Sequence, residues 1–257
     1  MSALGKQIRL NRIFSHPSRR ILSVAVDHLI NYPTGMPAGL RDLGTAIARL
    51  MKGAPSAVTM NKGAATRFWG PYAGRVPLII QSMALRPDDD FYADTAEVEE
   101  VVSMGADAIA VAMFVHCDME IEYIRHLAEV VRAAEPFGLP VIPHIYPLSS
   151  GSEQHSVVHD AEAIFYAVRI ALEQGADVIK VPYTGDVASF RDIVSMTPVP
   201  IVTAGGPKCE TLEEAEAMMR DVVATGAAGA TVGRNAWGFT DPGEAVRRLK
   251  QIVLETD

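Results

Sequence analysis

The chain has 257 residues, 49% hydrophobic and 21% charged, with a formal net charge of −8. That acidic balance excludes a sequence-independent grip on nucleic acid, which needs a basic surface, and no apolar run reaches the ~18 residues of a membrane span. Two distant cysteines, Cys117 and Cys209, without metal-ligand spacing, and a polar opening MSALGKQIRLNRIF without a leader pattern, suit a cytoplasmic protein.

Eight short apolar runs rich in Val, Ile and Ala follow one another along the chain. They are 21–28 (ILSVAVDH), 57–63 (AVTMNKG), 76–82 (VPLIIQS), 108–114 (AIAVAMF), 140–147 (PVIPHIYP), 177–183 (DVIKVPY), 198–206 (PVPIVTAGG) and 228–234 (AGATVGR). Apolar runs bounded by turn residues are the pattern of buried parallel strands. Segments with helical spacing lie between them, among them 95–106, 119–138, 160–176 and 211–227. Four joints repeat one grammar, in which a helix closes on glycine and a strand follows: MGADAIAVA, FGLPVIPH, QGADVIKVP and TGAAGATVG. Such alternation means repeated βαβ units.

An open doubly wound sheet would carry a glycine-rich turn after its first strand, where this chain has VDHLINYP. The predicted fold is therefore a single (β/α)8 barrel, one domain over 1–257, with residues 1–20 an extension over its bottom or side.

Working residues in such barrels lie at the C-terminal strand ends. The sixth run carries Lys180 in an otherwise apolar strand, where burial favours the neutral amine that a Schiff-base nucleophile needs. Alternation puts Val178, Lys180 and Pro182 on one face and Ile179 and Val181 on the other. If the β-branched pair faces the helices, Lys180 points into the barrel. The competing reading is a structural lysine paired with a carboxylate.

Asp27, at the end of the first run, points inward and either relays a proton or caps a turn; His28 beside it is a weaker candidate. Tyr146 ends the fifth run on the same face as His144. It is either an acid/base phenol or a core tyrosine, while the deeper His144 reads as packing. The seventh and eighth runs end in Ala204-Gly205-Gly206-Pro207-Lys208 and Val232-Gly233-Arg234-Asn235. Their glycines let backbone N–H groups approach an anion, and Arg234 adds charge, at the two strands where phosphate sites recur in these barrels. The alternative is glycines that only make tight turns. Lys208 either helps or is a solvated loop charge.

Together, Asp27-His28, Tyr146-Pro147, Lys180-x-x-Tyr183-Thr184-Gly185-Asp186, the AGGPK stretch and VGRN make the chain resemble the archaeal-type class I fructose-bisphosphate aldolases. The resemblance extends to their aminodideoxy-heptulosonate synthase and phosphorylated-pentanedione thiolase relatives, over about residues 8–253. It implies an imine on Lys180, proton transfer by Tyr146, orientation or relay by Asp27, and a phosphate held by Gly205, Gly206, Gly233 and Arg234. His28, Lys208 and His116 would be further substrate contacts. It also implies no metal or other cofactor, and a homo-oligomer of five or ten subunits. Three departures border the mouth of the barrel: Leu29 where relatives have Gly, Leu148-Ser149 where many have Arg-Gly, and His116-Cys117 where Gly-Ser is common. They point away from fructose 1,6-bisphosphate itself.

Overall fold

The computed structural model describes residues 2–28, 32, 35–149 and 155–255. Eight parallel strands close into a barrel: β1 (Ile21–Ala25), β2 (Ala57–Asn61), β3 (Leu78–Gln81), β4 (Ala108–Val115), β5 (Val141–Pro147), β6 (Ile179–Val181), β7 (Ile201–Ala204) and β8 (Gly229–Val232). Each pairs with its neighbour in sequence, and β8 returns to β1 with Ile21 opposite Gly229. Each strand lies inside its predicted run or within a residue of it. β6 is the shortest, because Pro182 has no N–H to extend the ladder.

Helix α1 (Ser2–Ile13) precedes the barrel, and a helix follows each strand: α2 (Leu43–Met51), α3 (Lys62–Phe68), α4 (Val98–Ser103), α5 (Glu120–Ala134), α6 (Ala161–Glu173), α7 (Val187–Ser195) and α8 (Leu212–Ala224). After β8 come a short α9 (Arg234–Trp237) and the longer α10 (Pro242–Glu255). Their starts are written in the sequence. Asp160 and Asp186 accept from the backbone of Ala163 and Ser189 to open α6 and α7, and Thr211 with Glu214 forms a reciprocal capping box on α8. The four predicted joints do turn on left-handed glycine, as at Gly175 (φ 91°) and Gly226 (φ 84°).

Alternation sorts the strand side chains. Ile179 and Val181 pack outward in the core shared with the helices, while Val178 joins Ile21, Ala57, Ile79, Ala108, Ile142 and Val202 in the barrel interior. Ile13 and Phe14, at the end of α1, belong to this inner cluster and plug the bottom. The extension covers the bottom, held by Lys6 to Asp177 at 3.0 Å and Arg12 to Asp107 at 3.3 Å. The same carboxylates accept from the Val141 and Leu78 backbone, tying neighbouring strands where they begin. Among the described residues no helix is long and apolar enough to cross a membrane.

Candidate active site

A cavity of about 560 Å³ opens at the C-terminal end of the barrel. Lys180 rises from the centre of β6 into its floor, 5% exposed. β5 and β6 register His144 directly against Lys180, and Lys180 Nζ lies 3.4 Å from His144 Nδ1. Among the described residues no carboxylate pairs with this lysine, so the paired structural lysine is not what the fold builds.

Asp27 approaches through an intermediary. Gln81, at the end of β3, has its Nε2 at 3.3 Å from Asp27 Oδ2 and at 3.2 Å from His144 Nδ1. Asp27 Oδ1 also lies 3.4 Å from His28 Nδ1, without hydrogen-bond alignment. Burial lowers the pKa of His28, against the pull of Asp27 and reinforced by Lys180 and Arg234. Burial likewise drives His144 well below the ordinary imidazole value, and positive charge on Lys180 or His28 would push it the same way. Both rings are neutral at neutral pH. Tyr146, two residues beyond His144 on the same face, is half-buried in the cavity wall with its ring 6.2 Å from Phe114.

Gly205, Gly206, Gly233 and Arg234 line one side of the same cavity. A Cβ on Gly205 would lie 2.8 Å from Val232 Cα, and one on Gly233 would lie 2.4 Å from His28 Cε1, so only glycine lets these segments approach. Arg234 Nη2 donates to Gly206 O at 2.8 Å, placing the guanidinium beside the loop. Asn235, 1% exposed, fixes that loop: its Nδ2 donates to Gly205 O at 2.8 Å and Pro207 O at 2.9 Å, and its Oδ1 accepts from Cys209 N at 2.8 Å.

The expected set is thus gathered in one cavity with two exceptions. Lys208 does not line it, because its ammonium donates to Cys209 O at 3.0 Å and lies 4.6 Å over the Phe239 ring. His116 does not line it either. It adopts φ 62°, which turns the exposed ring outward to stack on Tyr166 at 4.9 Å. Of the three departures, Leu29 lies outside the described residues. Leu148 is buried and pairs with Val157, which faces the cavity, and Cys117 is half-buried next to His116.

Four contributors escape the sequence reading. Gln81 and Asn235 are polar residues at or just past the end of an apolar run, as Asp27 and Tyr146 are. His159 and Arg86 reach the cavity from loops, where no periodicity points to them. His159 Nδ1 donates to Tyr183 O at 2.6 Å. Among the described residues no group of three or more His, Cys, Asp or Glu could hold a metal ion.

Fold and site define a (β/α)8 barrel enzyme with a buried amine at the floor of its mouth. The chain belongs to the DeoC/LacD aldolase family, whose model matches residues 21–238. It is 34% identical to the 2-amino-3,7-dideoxy-D-threo-hept-6-ulosonate synthase of Halobacterium salinarum, over 98% of this chain and 93% of that one. It is 33% identical to the class 1 fructose-bisphosphate aldolase of Thermoproteus tenax, over 94% and 92%. Among solved structures it resembles an archaeal fructose-1,6-bisphosphate aldolase whose catalytic lysine is covalently bound to the carbinolamine intermediate of the substrate. That match has TM-score 0.83 and 30% identity, over 97% of this chain and 99% of that one.

Proposed function

We propose that this aldolase works through a Schiff base on Lys180, making or breaking a carbon–carbon bond in a phosphorylated ketose. The observation that carries the reading is a buried lysine amine that has no carboxylate partner among the described residues, at the floor of the cavity whose side is lined by Gly205, Gly206, Gly233 and Arg234. The amine adds to the substrate ketone, and the carbonyl oxygen takes a proton to give a carbinolamine. Tyr146 is assigned the protonation that lets this hydroxyl leave as water, giving the iminium. Deprotonation of the C4 hydroxyl, assigned to Tyr146 with Asp27 orienting, lets the C3–C4 electron pair move into the iminium. An aldehyde departs and an enamine remains. Protonation at carbon and addition of water then free the ketone and restore the lysine.

The iminium supplies the electron sink that a Lewis-acid metal would otherwise supply, so no metal or other cofactor is assigned to the reaction. Gly205, Gly206, Gly233 and Arg234 would hold the phosphate, with His28 a further contact, by charge-assisted and backbone hydrogen bonds. The reading extends to one barrel unit working in the cytoplasm as a homo-oligomer of five or ten. The family resemblance supports the assembly, and the two free cysteines suit a reducing compartment.

A second outcome shares the same imine: the enamine carbon is passed to an acceptor, as the name of the heptulosonate synthase relative suggests. Assaying aldehyde release from a panel of phosphorylated ketoses, with and without an acceptor aldehyde and with and without EDTA, tests the proposal. Release without acceptor that is indifferent to EDTA supports cleavage, and acceptor dependence supports transfer. Loss of activity in EDTA, restored by metal, would overturn the metal-free imine.

A further inference from the structure

Gln81 and His144 lie between Asp27 and Lys180, and the backbone contact of Gln81 orients their hydrogen bonds. The backbone N–H of Met83 lies 3.2 Å from Gln81 Oε1. A backbone N–H only donates, so the carbonyl end of the amide must face it and the amino end must face the barrel axis. That amino group has two hydrogens and two neighbours, Asp27 Oδ2 at 3.3 Å and His144 Nδ1 at 3.2 Å. A carboxylate only accepts. The second hydrogen therefore requires a lone pair on His144 Nδ1, which puts the proton of the neutral ring on Nε2. Lys180 Nζ, 3.4 Å from the same Nδ1, can then share that lone pair as the longer arm of a three-centre bond. Gln81, His144 and Lys180 are 5%, 3% and 5% exposed, so solvent offers these groups little alternative.

We propose that Gln81 is a positioning residue that locks His144 in its Nε2–H tautomer, so that the Nδ1 lone pair holds one N–H of Lys180. The inference rests on Lys180 being the imine-forming amine. Tying one N–H to the wall fixes the nitrogen and leaves its lone pair free to meet a ketone in the cavity. The opposite tautomer would aim an N–H at the Gln81 amino group, which cannot accept it, and at Lys180 would engage the lone pair that the ketone needs. The Asp27 carboxylate holds the other hydrogen of Gln81, so the linkage also sets the distance between the amine and Asp27.

The natural perturbation is Gln81→Glu, which keeps the shape but removes both donors. Its carboxylate, set between Asp27 and His144, accepts a hydrogen bond where Gln81 donated one and draws a proton onto His144 Nδ1. Long-range 1H–15N spectra of histidine-labelled enzyme, with His144 assigned from His144→Gln, read the tautomer in the absence of substrate. The expected wild-type pattern is an unprotonated Nδ1 and a protonated Nε2. In Gln81→Glu, Nδ1 should become protonated, and the rate of borohydride-trappable adduct formation should fall at least about tenfold, while Lys180 remains the residue labelled and KM changes little. Gln81→Met, near in size and without charge, should also slow trapping and provides the rate test if the glutamate variant does not fold.

A wild-type enzyme with its proton on Nδ1 overturns the proposal. So does a tautomer change, or Gln81→Met, that leaves the trapping rate untouched. Failure of the wild-type enzyme to label Lys180 at all would instead refute the imine reading, since the tautomer is measured without substrate.

Discussion

Asn235 offers a test of how the loop proposed to hold the phosphate is built. The side chain is 1% exposed and its amide makes three hydrogen bonds, to Gly205 O, Pro207 O and Cys209 N, all at 2.8 or 2.9 Å. Asn235→Ala removes all three and leaves three backbone groups to find new partners. At about 1 kcal/mol net for each bond the loss is ~3 kcal/mol, and more where a freed group stays dry. For a chain of this size that is a fall in Tm of roughly 6–12 °C. The loop it holds carries Gly205 and Gly206, so affinity for a phosphorylated ligand should fall about tenfold or more, while the Lys180 amine stays intact. Asn235→Asp keeps the acceptor for Cys209 N but turns a carboxylate toward two carbonyl oxygens, and should be no more stable than the alanine variant at neutral pH. Urea unfolding followed by circular dichroism, with calorimetric titration of the phosphorylated ligand, reads both quantities. A stability loss below about 1 kcal/mol would refute the hydrogen-bond reasoning. A full loss with unchanged phosphate affinity would show that the loop does not bind the anion.

Other outcomes follow from the same geometry. Arg234→Ala should weaken binding of a phosphorylated substrate by ~1.5–3 kcal/mol, roughly ten- to hundredfold, and that of a non-phosphorylated analogue much less; equal losses would place the phosphate elsewhere. Tyr146→Phe should lower turnover by ~10²–10⁴-fold with the fold preserved and Lys180 still trapped by borohydride, whereas near-full turnover would make the hydroxyl structural. Stability should also depend on pH through His144 and His28, whose folded pKa values lie below the ordinary 6.5. Above 6.5 these rings are neutral in both states and their contribution is complete. As pH falls below 6.5 the unfolded chain binds protons the folded one refuses, and each ring costs up to about 1.4 kcal/mol per pH unit until its folded pKa is reached. His144→Gln should flatten that slope in urea titrations, and an unchanged slope would show that His144 is not held neutral.

Much of the fold is legible because each local signal agrees with its neighbours. The glycine-closed joints mark where a helix hands over to a strand, and the short apolar runs between turn residues mark what the barrel buries. Lys180 stands out because a lysine in an apolar strand has few structural uses. Strand alternation then places Tyr146 and Asp27 on the same inner surface. The partner of Lys180 is harder to see. His144 reads as packing within its own strand, and only the register of β5 against β6 brings it beside the lysine. Gln81 acquires meaning only when β3 curves round the barrel to meet both Asp27 and His144. The loops are least legible, since their paths follow no period. His116 is turned outward by a left-handed backbone and Lys208 is drawn over Phe239, whereas Arg86 and His159 arrive from loops that the strand pattern says nothing about.

The central claim is that Lys180 forms the covalent bond. Enzyme incubated with a phosphorylated ketose substrate and reduced with borohydride should lose activity and carry one substrate-derived mass increment, which peptide mass spectrometry maps to Lys180. Lys180→Met should be neither labelled nor active. An adduct on another lysine, or turnover surviving in Lys180→Met, would contradict the account.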